Sequence, residues 1–108
     1  DIVAGIVATL DAPPADNRAL KPGGSVAPHA IYNIGNNRSE ELGRFIEILE
    51  SACGRVAEKI MLPMQAGDVP ATFADIDDLA RDHGYAPTTL IDIGIPAFVD
   101  WYRTYKNI

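Results

Sequence analysis

The stretch AIYNIGNNRSEELGRFIEILESACG, residues 30–54, decides the predicted fold class. Residues 30–34 alternate in character and are rich in strand-forming types, which predicts a strand. Leucine, phenylalanine and isoleucine then recur three and four positions apart, which predicts a helix that ends at Gly54. Asn37 or Ser39 can cap the first turn of this helix. A strand followed by a helix places the chain in the α+β class.

The flanking segments supply three more helices and a second strand. Residues 2–10 have helical periodicity and stop at the prolines that follow them. A short apolar run beside a proline, residues 58–64, predicts a strand at a sheet edge. A short helix capped by Asp75 and ended by Gly84, and a last helix that opens at Thr88 or Thr89, complete the order. The sequence therefore predicts about four helices with two or three short strands.

Proline interrupts this order in two places. Residues 13–28 contain four prolines and two glycines, which predicts an exposed loop within the domain. Pro96 falls inside the last helix, where it removes a backbone hydrogen bond. We therefore expect either a kink over residues 92–96 or a helix that restarts there.

Length and composition limit the classes of protein that fit. The 108 residues suit one domain over 1–108, and a net charge of −6 offers no broad positive field for nucleic acid. No apolar stretch approaches the roughly 20 residues of a membrane span. A single cysteine excludes an intrachain disulfide and favours the cytoplasm. The chain begins at Asp1 and its first methionine is Met61, so we expect a piece of a longer protein.

The residues form no self-sufficient catalytic or metal-binding set. The aspartates of 75–82 fail the calcium-loop pattern, because alanine stands where that pattern needs glycine and glutamate. His29 and His83 have no partner at a two-ligand spacing, which favours structural roles for both. Cys53 shares the apolar face of its helix, which favours a core position over a nucleophile. The sequence thus predicts no metal site.

Two turns are candidate binding elements. The turn over residues 65–68 presents an amide and a carboxylate, which together can hydrogen-bond the hydroxyl pairs of a sugar, although Gly-Asp is also an ordinary turn dipeptide. The turn over residues 35–37 precedes a helix, where free N–H groups can meet a phosphate, but one glycine without a following lysine is a weak signal. Composition and spacing alone do not name an activity.

Three ordered motifs connect the chain to a known family: YNIGNN at 32–37, LPMQAGDVPATFAD at 62–75 and FVDWYRTY at 98–105. Together they resemble the C-terminal end of a nucleotide-sugar epimerase of the extended short-chain dehydrogenase/reductase family, with UDP-glucuronate 4-epimerases as the most similar group. The opening residues 1–3 also resemble the segment that begins this half of the family. The resemblance covers nearly the whole chain.

The resemblance implies a two-part cytoplasmic enzyme for polysaccharide precursors. An N-terminal Rossmann domain would hold NAD and the catalytic residues, and the C-terminal region would bind a UDP-sugar, with homodimers formed by the full-length protein. This chain resembles the second part only, so no catalytic or cofactor-binding residue is assigned to it, and we expect it to be inactive alone. Another epimerase, a decarboxylase or a dehydratase of this family, or a stand-alone binding module, remains an alternative.

The resemblance also implies three substrate-binding residues. Asp68 matches an acidic residue that approaches the UDP ribose, and Gln65 stands where related enzymes often have an arginine near the diphosphate. Leu42 matches a position that packs against the nucleotide, with a plain core position as the alternative. Because an amide lacks the charged fork of arginine, upstream arginines would have to neutralise most of the diphosphate. Glu40, which departs from the family pattern, would add an acid near that group.

Overall fold

A computed structural model describes all 108 residues and contains four helices. In chain order these are α1 (Ile2–Asp11), α2 (Leu42–Cys53), α3 (Asp77–His83) and α4 (Ile91–Lys106). The chain divides into two compact units. Unit 1 comprises Asp1–Ser39 and Thr72–Thr88, and unit 2 comprises Glu40–Ala71 and Thr89–Ile108. None of the four helices has the length and apolar character that crossing a membrane requires.

The four predicted helices are confirmed, but the predicted strands at 30–34 and 58–64 do not form. Both segments lack regular secondary structure, and one isolated bridge within the 13–28 loop is the nearest feature to a strand pair. A strand needs a neighbour that exchanges backbone hydrogen bonds with it along its length. Residues 30–34 have single bonds instead, such as the one that the Ile31 N–H donates to the Pro22 carbonyl oxygen at 3.0 Å. The α+β expectation is therefore correct only in its helices.

Unit 1 is built around a small apolar core and the packing of α1 against α3. Leu79 on α3 is 1% exposed, and Tyr85 is buried beside it. Gly5 lets α1 approach closely, because a Cβ at this position would lie 2.5 Å from Ile34 Cδ1 and 3.0 Å from Tyr85 Cδ2. The Tyr85 hydroxyl donates to the Gly35 carbonyl oxygen at 3.0 Å. The core thus joins α1, α3 and the segment that contains the YNIG motif.

The 13–28 loop has internal hydrogen bonds. The Lys21 Nζ donates to Asn17 Oδ1 at 3.3 Å, to the Ala19 carbonyl at 3.0 Å and to the Val26 carbonyl at 3.3 Å. Most of the loop's residues are nevertheless exposed. One lysine therefore ties together a segment whose composition offers few apolar anchors.

Unit 2 is a pair of helices that run in the same direction. Arg44, near the start of α2, makes two 2.7 Å hydrogen bonds to the carboxylate of Asp92, near the start of α4. Arg103, in the last turns of α4, donates to the carbonyl of Cys53 at 2.8 Å, where α2 ends. Between these two ends, Val99 is the buried residue of α4, at 5% exposed. The Arg103 bond satisfies a carbonyl that the end of a helix leaves unpaired.

The predicted N-terminal caps of α2 are wrong, whereas the predicted hydrogen bond at the start of α3 is present. Neither Asn37 nor Ser39 caps α2, whose N-cap is Glu41 without a side-chain bond. The Ser39 hydroxyl instead donates to the Thr72 carbonyl at 2.9 Å. Asp75 does accept a bond from the first N–H of α3, at 3.2 Å. Cap prediction fails where a polar side chain finds a partner far along the chain.

The predicted helix ends are better matched. Gly54 and Gly84 follow α2 and α3 with φ of 67° and 66°, the left-handed conformation that glycine adopts without strain. The last helix begins at Ile91, two or three residues later than the predicted start at Thr88 or Thr89. It runs continuously through Pro96, so the predicted restart does not occur.

Candidate functional site

The predicted turn at Gln65–Asp68 is formed as expected from its sequence. The Asp68 N–H donates to the Gln65 carbonyl oxygen at 3.1 Å, which closes a four-residue turn. Gly67 occupies the third position with φ of 98°, a conformation that a side chain at this position would strain. The glycine therefore brings the amide of Gln65 and the carboxylate of Asp68 to the two ends of one turn.

Leu42 lies in the same unit but in a different element. It is the first residue of α2, and its side chain is 68% exposed, so the competing prediction of a core position does not hold. Gln65 and Asp68 are exposed as well. No hydrogen bond joins α2 to the turn. The structure thus pairs Gln65 with Asp68 and places Leu42 separately.

The start of α2 has backbone N–H donors without an intrahelical acceptor and an arginine whose charge is balanced by a carboxylate. The first intrahelical bond runs from the Phe45 N–H to the Glu41 carbonyl, and no side chain caps the helix, so the preceding N–H groups lack an intrahelical acceptor. The hydrogen bonds to Asp92 raise the pKa of Arg44 above its ordinary value. Arg44, the cation of α2, is therefore already neutralised by a carboxylate.

A second polar region lies in unit 1, beneath the 13–28 loop. A cavity of about 370 Å³ is lined by both histidines of the chain, His29 and His83, together with Tyr32. Tyr32 and His83 also line a neighbouring polar cavity of about 720 Å³. The spacing of the two histidines, with 53 residues between them, does not indicate that they approach each other. A separate structural role was therefore predicted for each. No local signal in the sequence indicates this shared cavity.

A hydrogen-bonded network lines the larger of these two cavities. The Tyr32 hydroxyl donates to Asp82 Oδ2 at 3.0 Å, and Arg81 Nε donates to Asp82 Oδ1 at 2.7 Å. Arg81 also pairs with Asp78, and the Tyr32 ring meets the edge of His83 at 5.0 Å. Burial and the bond to Asp82 raise the pKa of Tyr32, while Arg81 holds the pKa of Asp82 low. Asp82 pairs with Arg81 and Tyr32, and Arg81 pairs with Asp78 as well, so the arginine of this network is not a free cation.

Cys53 lies half-buried at a cavity of about 520 Å³ between α2 and α4. The predicted core position of its side chain is therefore only partly realised. Arg103 and Tyr102 share the wall of this cavity. Arg55 also lines the cavity, and the remaining lining residues besides Cys53 are apolar.

The residues do not fit a dinucleotide cofactor. Such a cofactor needs a strand, a glycine-rich loop and a helix in succession. The structure has no strand before any of its four helices, and the turn at 35–37 before α2 has one glycine. The structure also groups no three side chains of metal-ligating type. No step of a reaction is therefore assigned to NAD or a metal on these residues.

Comparisons with known proteins give close relatives, although no family model matches the chain. It is 42% identical, over 97% of its length, to Protein CapI of Staphylococcus aureus. It is 38% identical, over 99%, to "Probable UDP-glucuronate 4-epimerase" of Rhizobium meliloti (strain 1021). UDP-glucuronate 4-epimerase 6 of Arabidopsis thaliana is 38% identical over 100% of the chain. The chain spans 33%, 33% and 24% of the lengths of these three proteins.

Over nearly its whole length the chain is therefore similar to a C-terminal portion of nucleotide-sugar epimerases. Within that family, the relatives include proteins named UDP-glucuronate 4-epimerases from a bacterium and a plant. The resemblance predicted from the YNIGNN, QAGDVP and FVDWY motifs is confirmed. The roles of Gln65, Asp68 and Leu42 remain predictions.

Proposed function

We propose that this chain is the UDP-sugar-binding part of an NAD-dependent UDP-glucuronate 4-epimerase, which interconverts UDP-glucuronate and UDP-galacturonate. The observation that carries the proposal is the homology over nearly the whole chain to proteins of that name, each of which is three or more times longer. The binding turn at residues 65–68 supports it, because the turn offers hydrogen-bonding groups and lacks catalytic ones.

Each of the three predicted residues has a distinct role in this proposal. The carboxylate of Asp68 accepts hydrogen bonds from the two ribose hydroxyls, and the amide of Gln65 donates to a diphosphate oxygen. Leu42 packs against the uracil ring, which its 68% exposure permits. A carboxylate that accepts from neutral hydroxyls forms bonds stronger than those between two neutral groups. Asp68 therefore contributes most to affinity among the three.

Electrostatics divide the binding task between this chain and the rest of the protein. The chain has a net charge of −6, and the Arg44 guanidinium beside Leu42 is bound to Asp92. Glu40 and Glu41 precede Leu42 and add negative charge. A diphosphate would therefore find little neutralising charge on these residues. We infer that cations of the N-terminal Rossmann domain neutralise it, and that the chain alone binds UDP weakly.

The chemical step belongs to the N-terminal domain in this proposal. Residues of that domain would hold NAD, which would supply hydride transfer to and from the sugar. The residues of this chain hold the nucleotide so that the sugar lies near that cofactor. We also place the enzyme in the cytoplasm, on the basis of its single cysteine, and expect homodimers as the resemblance implies.

An activity assay on two forms of the protein tests the proposal. The protein translated from the complete reading frame should convert UDP-glucuronate to UDP-galacturonate, and the 108-residue chain should show no conversion. Conversion by the short chain would contradict the division of roles. A long protein that converts another UDP-sugar but leaves UDP-glucuronate unchanged would assign it to a different enzyme of the family. A reading frame without an upstream domain would favour a stand-alone binding module.

A further inference from the structure

Helix α1 is largely apolar. Its ten residues, Ile2–Asp11, contain no charged side chain before Asp11 at the end, and Thr9 is the polar residue before it. A helix on the surface of a protein normally presents a broad polar face to water. α1 has too few polar residues to form such a face.

Unit 1 covers only one side of α1. Gly5 is buried against Ile34 and Tyr85. On the other side lie four large apolar side chains at spacings of three and four, which form one stripe along the helix. This α1 stripe consists of Val3, Ile6, Val7 and Leu10, which are 72%, 53%, 47% and 77% exposed.

We infer that the α1 stripe is the face against which the preceding part of the longer protein packs. The inference rests on the proposed function, in which an N-terminal domain continues upstream of Asp1. The chain corresponds to a C-terminal portion of its relatives and spans a third or less of them. In those relatives, two thirds or more of the polypeptide lie outside the aligned segment. α1 is the first element of this chain, so it lies next to that polypeptide.

Covalent attachment favours this occupant over a second copy of the chain. A domain joined one residue before α1 has an effective concentration in the millimolar range at the stripe, whereas a second copy must arrive by diffusion.

Thiol labelling measures whether the stripe becomes covered. In a Cys53→Ser background, Val3→Cys places a thiol on the stripe, and a matched Asp16→Cys variant places one in the polar 13–28 loop. Each variant is labelled with a maleimide in the 108-residue chain and in the protein translated from the complete reading frame. We expect Val3→Cys to react about tenfold or more slowly in the longer protein, since access limits thiol chemistry. Asp16→Cys should react equally fast in both forms.

The outcomes separate this inference from the proposed function. If Val3→Cys reacts equally fast in both forms while the longer protein epimerises UDP-glucuronate, the inference is wrong and the proposed function stands. Slow labelling in a longer protein without epimerase activity supports the inference and contradicts the proposed function. Protection that grows with the concentration of the 108-residue chain identifies a second copy as the occupant and overturns the inference.

Discussion

The two units of the chain are stabilised in different ways. Unit 1 has a cluster of buried side chains, Ile76, Leu79 and Tyr85, and a glycine that admits a helix against them. Unit 2 has one buried apolar residue, Val99, and polar bonds at each end of a helix pair. The predicted binding residues all lie in unit 2. The difference indicates that the core is separate from the residues proposed to bind substrate, so the two can be perturbed independently.

Truncation of the most buried side chain should give the largest effect. Leu79→Ala removes a leucine that is 1% exposed, and we expect a loss of about 2–5 kcal/mol in the free energy of unfolding. Val99→Ala, its counterpart in unit 2, should cost about 1–2 kcal/mol, because fewer methyl groups leave the core. Urea unfolding followed by far-ultraviolet circular dichroism measures both. A larger loss of stability for Val99→Ala than for Leu79→Ala would mean that unit 2 depends more on its buried side chain than unit 1 does.

A pair of glycine substitutions should change stability in opposite directions. Gly5→Leu places a side chain where even a Cβ would lie 2.5 Å from Ile34 Cδ1, so overpacking should cost about 1–3 kcal/mol. At Gly43 a Cβ would meet no atom within 4 Å, so Gly43→Leu should raise helix stability by about 0.5 kcal/mol. Thermal unfolding of the two variants shows whether each substitution raises or lowers stability. Equal effects would mean that α1 does not approach Ile34 as closely as described.

Loss of the bond between the ends of the two helices should have a smaller effect. Arg103→Met keeps an apolar stem but removes the donor to the Cys53 carbonyl, and we expect a cost of about 0.5–1.5 kcal/mol. Arg38→Met is a control at an exposed arginine in unit 1 and should change stability by less. Chemical unfolding monitored by the fluorescence of Trp101, the single tryptophan, measures the change within unit 2. No change in the Arg103 variant would show that this bond adds nothing to helix packing.

The smallest expected effect is the pH dependence of the network in unit 1. The pKa of Asp82 is lower in the folded chain, mainly because Arg81 hydrogen-bonds its carboxylate. The stability it contributes is therefore complete above the ordinary aspartate pKa of about 3.9 and is lost as pH falls through the folded value. Melting temperatures between pH 2 and 6 should decline less steeply for Asp82→Asn than for the parent chain. Asp16→Asn, in the exposed loop, is the control, and its melting temperature should depend on pH as that of the parent chain does. The same dependence in the Asp82 variant would contradict this account.

Local patterns predicted the helices because helical periodicity is a property of neighbouring residues. The glycines that end α2 and α3, and Gly67 in the turn over residues 65–68, were predictable for the same reason. The strands were wrong because a strand depends on a distant partner, which residues 30–34 lack. The prediction that Ser39 caps α2 was wrong because its hydroxyl donates to the Thr72 carbonyl oxygen instead.

In the candidate site too, features formed by neighbouring residues were predictable and features formed by distant residues were not. The turn that joins Gln65 to Asp68 was predictable, since its bond spans three residues. The shared cavity of His29 and His83 was not, because the fold of unit 1 brings them together over a long separation in sequence. The resemblance to epimerases added the roles of the turn residues, which no pattern in the chain could provide.

The kinetic effect of Asp68 tests the central proposal most directly. In the protein translated from the complete reading frame, Asp68→Asn should raise the KM for UDP-glucuronate about tenfold, because a hydrogen bond to a charged group contributes about 1.5–3 kcal/mol. The kcat should stay within about twofold, since the ribose is bound equally in the ground and transition states. Asp16→Asn is the matched control and should change neither constant. An unchanged KM in the Asp68 variant would contradict the assignment of this turn to the substrate.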